Sequence, residues 1–334
     1  MAPPSDEMAR QNGVVIRTHE LTKKFDADVV VDSVTMSIPR GSIFGFIGPS
    51  GCGKTTTMRL LLGIYEASSG VVEVLGRAPD KFTTADRQRI GYMSQLFVMY
   101  PDLTVWENVN FAASLYGVPL RRRARLASVL DLVELTGHEG KRVRNISGGM
   151  RQRLSLAAAL VHDPEVIFLD EPTAGIDPVL RSKFWAHFKS LKEMGRTLFV
   201  TTQYVGEAAY CDYVGVMSAG QLLIVETPEG LRRRVLGGHV LRVNPSRLPD
   251  YQQMAELRAA PFVRAGQVTV NPDLSLQIVV DDASTALPAV MSWMDERGLT
   301  VTEAGEFSPT FDEVFVMLLE QEQKRRLQGE MSHA

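Results

Sequence analysis

The sequence predicts an α/β fold built on a parallel sheet with a helical insert, followed by a small α+β domain. Three observations support this prediction. Short apolar strands alternate with helical segments over the first two thirds of the chain, a glycine-rich turn joins one such strand to a helix, and the order of elements changes after residue 238. Alternating strands and helices are typical of parallel sheets, because a helical crossover returns the chain to the same edge.

The first predicted domain covers residues 14–238. Residues 1–13 lack the basic start and the apolar segment of a signal peptide, and we expect a disordered leader there. Apolar runs and 3.6-residue periodicity divide the domain that follows into strands and helices. The predicted segments are strands at 29–38, 43–47, 166–169, 197–201 and 213–217, a helix at 54–63 and a helical insert at about 96–159.

A second domain is predicted over residues 239–334. Its elements follow the order β-α-β-β-α-β and then a final helix, and that order is typical of a ferredoxin-like unit. The predicted strands are 240–243, 267–270, 276–280 and 300–303, and the predicted helices are 250–259, 286–297 and 310–326. Two roles remain open for this domain: stabilising a dimer, or sensing a ligand.

Composition restricts the possible classes of protein. The 334 residues are 45% hydrophobic and 22% charged, which indicates a chain that buries a core. A net charge of −3 gives no overall attraction to nucleic acid, so we predict no nucleic-acid partner. The two cysteines, Cys52 and Cys211, suit a reducing compartment. No apolar run approaches the roughly 20 residues that cross a bilayer.

Residues 48–55, GPSGCGKT, match the phosphate-loop pattern G-x-x-x-x-G-K-[ST]. Glycines let successive backbone N–H groups surround phosphate oxygens, and the following helix presents its positive N-terminus to them. Lys54 would reach the β and γ phosphates, and Thr55 would bind Mg²⁺. A glycine-rich turn with an unrelated lysine is the alternative, which the flanking strand and helix disfavour. The predicted nucleotide-binding residues here are Gly48, Pro49, Ser50, Gly51, Cys52, Gly53, Lys54, Thr55 and Thr56.

Two carboxylates follow the apolar strand at residues 166–169. Ligands of open α/β sheets bind at the carboxyl ends of the strands, where Asp170 and Glu171 are predicted to lie. Asp170 would hold Mg²⁺, and Glu171 would polarise the water that attacks the phosphate. Two solvated acids that end a strand are the alternative, and the nearby phosphate loop disfavours it.

Residues 145–153, NISGGMRQR, resemble the signature motif of ABC ATPases, usually written L-S-G-G-Q. The order phosphate loop, signature and Asp-Glu strand extends the resemblance over residues 14 to about 230. It implies the ABC ATPase fold of the P-loop NTPases. Ser147, Gly148 and Gly149 would then contact the γ-phosphate bound by a second subunit.

The resemblance assigns further residues. Gln95 resembles the glutamine that senses Mg²⁺ and the attacking water, and Asp177 resembles the aspartate that crosses the dimer. Phe25 occupies the place where the family has an aromatic ring that stacks on adenine. A core role is the alternative for Phe25.

Two positions depart from the family pattern. Met150 replaces the signature glutamine. Gln203, within residues 201–204, TTQY, stands where most members have a switch histidine, and this sequence resembles the daunorubicin-resistance branch of ABC exporters. Glutamine donates a hydrogen bond to a phosphate but cannot become charged. We therefore assign Gln203, together with Glu171 and Gln95, a catalytic role.

The resemblance implies a function. It predicts an ATPase that uses ATP and Mg²⁺, dimerises on ATP, and drives a separate membrane permease from the cytoplasmic face of the cell membrane. The implied cargo is drugs, lipids or similar amphiphiles, moved outward. Two alternatives remain open: a soluble ABC ATPase that acts on ribosomes or DNA, and a regulatory module with weak ATPase activity.

Two local features have less specific interpretations. The basic run at residues 121–125 is expected to be a solvated helix face. Trp106 follows the glutamine segment, where transporter ATPases form a groove for a helix of the membrane partner. An anchor in that groove and a core role within the helical insert are equally compatible with its position.

Overall fold

The computed structural model describes residues 13–332. The predicted leader lies outside the described residues apart from Gly13, whose carbonyl accepts a hydrogen bond from the Arg40 amide at 3.0 Å. Strands and helices alternate up to Pro228, where a first unit ends. Its elements are β1 Val14–Phe25, β2 Asp28–Pro39, β3 Ile43–Ile47, α1 Lys54–Leu61, β4 Ser69–Val74, α2 Thr84–Gln88, β5 Ile90–Met93, α3 Val105–Leu115, α4 Arg123–Leu132, α5 Gly148–Leu160, β6 Val166–Asp170, α6 Pro178–Glu193, β7 Thr197–Thr202, β8 Tyr213–Ser218 and β9 Gln221–Glu226.

A six-stranded sheet with the order β5-β6-β7-β3-β8-β9 lies at the centre of this unit. Its strands run parallel except for the edge strand β9, which pairs with β8 in the antiparallel direction. A second, antiparallel sheet has the order β2-β1-β4. The predicted parallel sheet interrupted by helices is therefore confirmed: α3, α4 and α5 all lie between β5 and β6 in the chain.

Aromatic side chains from three neighbouring strands form the core of the parallel sheet. Phe44 and Phe46 of β3, Phe168 of β6 and Phe199 of β7 are fully buried. The ring of Phe199 lies 5.4–5.7 Å from the other three ring centres. Rings at this spacing attract one another in addition to the apolar area they bury. The central strands that carry the functional loops are thereby held in one register.

The helical insert contains a buried arginine where the sequence predicts a solvated basic face. Arg122 is 5% exposed, although Arg121, Arg123 and Arg125 are exposed as expected. Its guanidinium donates to the Asn110 side chain at 2.8 Å and to the Val118 carbonyl at 2.7 Å. The prediction is wrong for Arg122, because acceptors on α3 and in the segment after it compensate for its burial.

The second unit begins at Glu229, whereas the sequence places the boundary after residue 238. Its elements are α7 Pro228–Leu236, β10 His239–Pro245, α8 Tyr251–Ala259, β11 Val268–Val270, β12 Leu276–Val280, α9 Ala283–Glu296, β13 Val301–Glu306 and α10 Phe311–Ser332. The earlier boundary results from contacts of α7 with α10. Arg232 lies over the Phe311 ring at 4.0 Å, and Gln321 donates to the Val235 carbonyl at 2.9 Å.

The four strands of this second unit form an antiparallel sheet with the order β11-β12-β10-β13. From β10 to β13 the elements follow the predicted order β-α-β-β-α-β. Alternate strand residues such as Leu241, Val243 and Ile278 are fully buried in one core with Val290 and Met294 of α9. Across residues 13–332, no helix has the length and apolar content needed to cross a membrane.

Candidate active site at the carboxyl edge of the parallel sheet

Four adjacent parallel strands end at the same edge of the central sheet. The order β5-β6-β7-β3 places the segments that follow each strand side by side. Gln95 follows β5, Glu171 follows β6, Gln203 follows β7, and Gly48 follows β3. The carboxyl edge of an open parallel sheet is the usual ligand site of such folds. Residues far apart in the chain therefore meet at one place.

The loop after β3 requires glycine at two positions. A Cβ on Gly48 would lie 2.2 Å from the Met217 carbonyl oxygen, so any side chain there would collide with backbone. Gly53 has φ +108°, and a Cβ on it would lie 2.6 Å from the Val30 carbonyl oxygen. Glycine adopts this left-handed conformation without steric cost. The spacing of the glycines is therefore set by close packing of the loop against β2 and β8.

Lys54 and Thr55 begin α1 directly after the loop. The Lys54 ammonium is buried and donates to the Gly48 and Pro49 carbonyls at 2.8 and 3.0 Å. A lysine and a helix N-terminus together form a strongly anion-attracting position. Cys52 is buried beside them, and burial raises the pKa of its thiol. Cys52 therefore remains protonated and serves as a small packing residue.

Asp170 is the most deeply buried acid of the site, with 1% exposure. Its Oδ1 accepts hydrogen bonds from the Thr55 hydroxyl at 3.0 Å and from the Thr201 hydroxyl at 2.7 Å. Among residues 13–322, whose side chains the structure describes, no ion pair involves Asp170. A carboxylate and a threonine hydroxyl are oxygen ligands of the type that Mg²⁺ prefers. The donor set thus fits a magnesium ion held by Thr55 and Asp170.

Glu171 lies between two polar groups at the edge of the sheet. Its Oε2 accepts from the Gln95 amide at 3.2 Å, and its Oε1 lies 3.7 Å from the Lys54 ammonium. The backbone of Glu171 has φ +48°, a conformation that costs energy for a residue with a side chain. Its amide donates to Thr201, both to the carbonyl and to the hydroxyl. The sheet therefore fixes a strained residue whose carboxylate points at the phosphate loop's lysine.

Two further predicted residues each cap an exposed helix N-terminus. Ser147 precedes α5, and its hydroxyl accepts from the Met150 amide at 3.3 Å. Asp177 precedes α6, and its carboxylate accepts from the Leu180 amide at 2.9 Å. Ser147, Gly148 and Asp177 are exposed. That Ser147, Gly148 and Asp177 contact a second subunit stays a prediction. The substitution at Met150 is compatible with the cap, because the backbone amide makes the contact.

Phe25 and Gln203 are both exposed. The Phe25 ring is 40% exposed and meets the Tyr65 ring edge-on at 5.4 Å. The alternative that Phe25 is an ordinary core residue is therefore wrong. Gln203 is also exposed, one residue beyond β7. Its predicted contact with a phosphate stays a prediction.

Sequence reasoning missed a polar cluster beside Gln203. Buried Glu207 accepts from the Thr173 hydroxyl at 2.7 Å, and its Oε1 lies 3.6 Å from Arg181. The Arg181 guanidinium lies over the Tyr204 ring at 4.1 Å. The cluster joins the segment after Glu171 to the segment after Gln203. A buried glutamate needs partners, but the sequence does not show which distant residues supply them.

A phosphate loop at a helix start, beside two acids that follow a neighbouring parallel strand, defines a P-loop nucleoside triphosphatase. The family model described as "ABC transporter" matches residues 31–174. The chain is also 34% identical to the daunorubicin resistance ATP-binding protein DrrA3 of Streptomyces coeruleorubidus, over 89% of this chain and 93% of that protein. The chain belongs to the ABC transporter family, which confirms the resemblance found in the sequence motifs.

Two other proteins extend the comparison. The probable multidrug ABC transporter ATP-binding protein YbhF of Escherichia coli is 40% identical over 65% of this chain, and the aligned part is only 38% of YbhF's length. A solved dimeric ATP-binding cassette bound to ADP and Pi, in a post-hydrolysis state, superposes with a TM-score of 0.59 at 25% identity. That similarity covers 64% of this chain and 98% of the cassette. The predicted ABC ATPase fold is confirmed.

Replacing Lys54 by Ala should weaken ATP binding roughly 10- to 100-fold, because the phosphates lose hydrogen bonds from a charged donor. Titration with a fluorescent ATP analogue would measure the dissociation constant. Lys189→Ala, at an exposed position on α6, is the matched control and should bind like the wild type. Equal dissociation constants for all three proteins would contradict the phosphate-loop assignment.

Proposed function

We propose that this chain is the ATP-hydrolysing subunit of an ABC exporter that drives a separate membrane permease. The main support for this proposal is that Lys54, Asp170 and Glu171 lie at one edge of the sheet. The Lys54 ammonium is 3.7 Å from the Glu171 carboxylate. A phosphate-binding cation, a metal-binding acid and a second acid are the groups that phosphoryl transfer to water requires.

The phosphate loop binds the nucleotide in this proposal. Its backbone amides and the N-terminus of α1 surround the phosphates, and Lys54 exchanges its carbonyl partners for phosphate oxygens. Phe25 stacks on the adenine with its exposed ring. Thr55 and Asp170 hold Mg²⁺, which when bound neutralises charge between the β and γ phosphates.

Glu171 orients and deprotonates the attacking water. The Gln95 amide donates to its carboxylate at 3.2 Å and so limits the directions in which the acid can point. A general base needs to lie within hydrogen-bond reach of the proton it removes. Gln95 and Glu171, at the ends of the adjacent strands β5 and β6, are therefore placed to contact the same water.

A second copy of the chain completes each site. Ser147 and Asp177 lie at exposed helix starts, where their backbone and side-chain groups are accessible to another molecule. Amides at a helix N-terminus attract a phosphate, so the segment around Ser147 suits the γ-phosphate held by the partner. The similar cassette of known structure is dimeric in a state with ADP and Pi, which supports this arrangement.

An exposed apolar surface on the helical insert suits a membrane partner. We define the docking surface as Leu96, Val98, Tyr100, Phe111 and Leu115, all of them exposed. The Tyr100 and Phe111 rings make an edge-on contact with their centroids 5.1 Å apart. Contiguous apolar surface of this kind marks protein interaction sites. We propose that a cytoplasmic helix of the permease binds here, which holds the chain at the inner face of the cell membrane.

Trp106 occupies a neighbouring position. It is half-buried and lines a cavity of about 620 Å³ with Leu120 and Arg122. The role of Trp106 as an anchor stays a prediction, and the more exposed side chains of the docking surface are stronger candidates. The names of two relatives, a probable multidrug transporter protein and a daunorubicin resistance protein, support drugs as the exported cargo.

Replacing Glu171 by Gln should leave ATP binding intact and slow hydrolysis at least about 100-fold, because the amide keeps the size of the acid but cannot accept the proton. The variant should then accumulate as an ATP-bound dimer. Phosphate release and light scattering with Mg-ATP would measure both effects. Wild-type turnover by a monomeric variant would contradict the base and the dimer together.

Replacing Phe111 and Leu115 by Asp should release the chain from its permease, because both side chains lie on the docking surface. The assay is co-purification with the membrane protein encoded beside this chain's gene. Leu274→Asp, at an exposed apolar residue of the second unit, is the control and should keep the permease bound. ATP hydrolysis by the detached double variant should remain at the basal rate. Full retention of the permease by the double variant would contradict the docking surface.

Replacing Gln203 by Ala should lower turnover about tenfold or more, the loss expected for a positioned donor at a reacting phosphate. Gln203→His should be tolerated, since imidazole can donate to the same oxygen. Histidine titrates near neutral pH and glutamine does not. The ratio of the Gln203→His rate to the wild-type rate should therefore vary between about pH 6 and 9. An alanine variant as fast as the wild type would exclude a catalytic role for Gln203.

A further inference from the structure

Thr201 lies opposite Asp170 in the parallel pairing of β6 and β7. It is completely buried, at 0% exposure, and its side chain belongs to neither the phosphate loop nor the signature segment. A buried hydroxyl must find hydrogen-bond partners or lose free energy on folding. The partners of this hydroxyl are the two acids of the site.

The hydroxyl of Thr201 uses its single proton on Asp170. Oγ1 donates to Asp170 Oδ1 at 2.7 Å, and it accepts from the Glu171 amide at 3.0 Å. A threonine hydroxyl has one donor and two acceptor sites. Asp170 and Glu171, which are consecutive at the end of β6, therefore determine the direction of the hydroxyl proton and of one lone pair. One side chain thus contacts the carboxylate of Asp170 and the backbone of Glu171.

Thr55 and Thr201 share the same oxygen of Asp170. The Thr55 hydroxyl donates to Oδ1 at 3.0 Å, and Thr55 is also the proposed cation ligand. A hydroxyl can bind a cation through a lone pair and still donate its proton, so the position of Thr55 would be set by both the cation and Asp170. The hydrogen bond from Thr201 has no such second requirement, because Thr201 lies on the neighbouring strand within the sheet. Thr201 therefore orients Asp170 independently of the cation.

Glu171 depends on Thr201 in a different way. Its φ of +48° is costly for a residue with a side chain and persists only where its surroundings fix it. The Glu171 amide is shared between the carbonyl of Thr201, at 3.1 Å, and the hydroxyl of Thr201, at 3.0 Å. Loss of the hydroxyl removes one of these restraints and allows the peptide to rotate, and the direction of the carboxylate rotates with it.

We propose that Thr201 is a positioning residue that orients the metal-binding carboxylate of Asp170 and the catalytic carboxylate of Glu171 through one hydroxyl. The proposal rests on the ATPase function proposed above. A positioning role differs from a purely structural role in the expected result. Removing the hydroxyl should impair hydrolysis and the response to Mg²⁺ while leaving the phosphate loop and its affinity for metal-free ATP unchanged.

The chain offers a matched control for the loss of a buried hydroxyl. Thr18 is 2% exposed, and its hydroxyl donates to the Val34 carbonyl at 2.9 Å and accepts from the Met36 amide at 3.1 Å. It therefore has the same donor and acceptor pattern as Thr201, but in the antiparallel sheet, with backbone partners. Thr18→Val should cost similar stability without changing catalysis.

The experiment compares Thr201→Val, Thr201→Ser and Thr18→Val in the full-length chain. Valine keeps the shape and the β-branch of threonine, so thermal unfolding should detect a folded protein. Thr201→Val should lower kcat about tenfold or more, the loss expected for a buried hydrogen bond to a charged group. The KM for ATP should change less than about twofold, and half-maximal activity should require more Mg²⁺. Thr201→Ser should restore most of kcat, and Thr18→Val should match the wild type.

Binding provides a readout that does not require turnover. A fluorescent ATP analogue should bind Thr201→Val and wild type equally in EDTA, and the gain in affinity on adding Mg²⁺ should be smaller for the variant. Unchanged kcat and an unchanged Mg²⁺ response would overturn the proposal, as would a serine variant no better than valine. A wild-type chain that hydrolyses no ATP would instead overturn the proposed function, and the binding comparison would still decide the role of Thr201.

Discussion

The buried carboxylate of Asp170 is the group on which the geometry of the site depends. A charge with 1% exposure is costly unless hydrogen bonds or a cation compensate for the lost water. Two threonine hydroxyls supply hydrogen bonds from neighbouring elements, α1 and β7. β7 must be in register with β6, and α1 must lie beside it, for these contacts to form; the packed rings of Phe168 and Phe199 help to maintain the register of the two strands. The apolar packing of the sheet therefore also determines where the polar groups at its edge lie.

Strain and rigidity occur together at this edge. Glu171 has an unfavourable positive φ, and Gly48 and Gly53 avoid collisions that any side chain would cause. Glu171 and Gly48 each follow directly from a buried strand, and Gly53 packs against β2, so the loops at this edge have little room to relax. The proposed proton acceptor and phosphate loop, held without freedom to adjust, would lose less entropy when a substrate binds. The entropy cost of ordering these groups is instead offset during folding, by burial of the strands.

The sequence predicts the central strands well, because they are continuous apolar runs bounded by glycine, proline or acids: residues 43–47 coincide with β3, and 166–169 lie within β6. Local pattern also predicts the order of elements in the second unit. Long-range contacts account for what it misses. Arg122 can be buried because Asn110 and Val118 on the preceding segment accept hydrogen bonds from its guanidinium. Thr201 is one of several strand threonines, and only the register with Asp170 distinguishes it.

The polar cluster beside Gln203 suggests how a neutral residue can replace a switch histidine. Glu207 is buried and contacts Thr173 and Arg181, and Arg181 lies over the ring of Tyr204, the residue next to Gln203. Arg181 is on the helix that Asp177 begins, so the segment that carries Gln203 is connected to the segment proposed to cross the dimer. A histidine can use charge to attract a phosphate, whereas glutamine relies on the placement of its amide. The contacts of Arg181 with Glu207 and Tyr204 restrain the segment that would hold this amide in place.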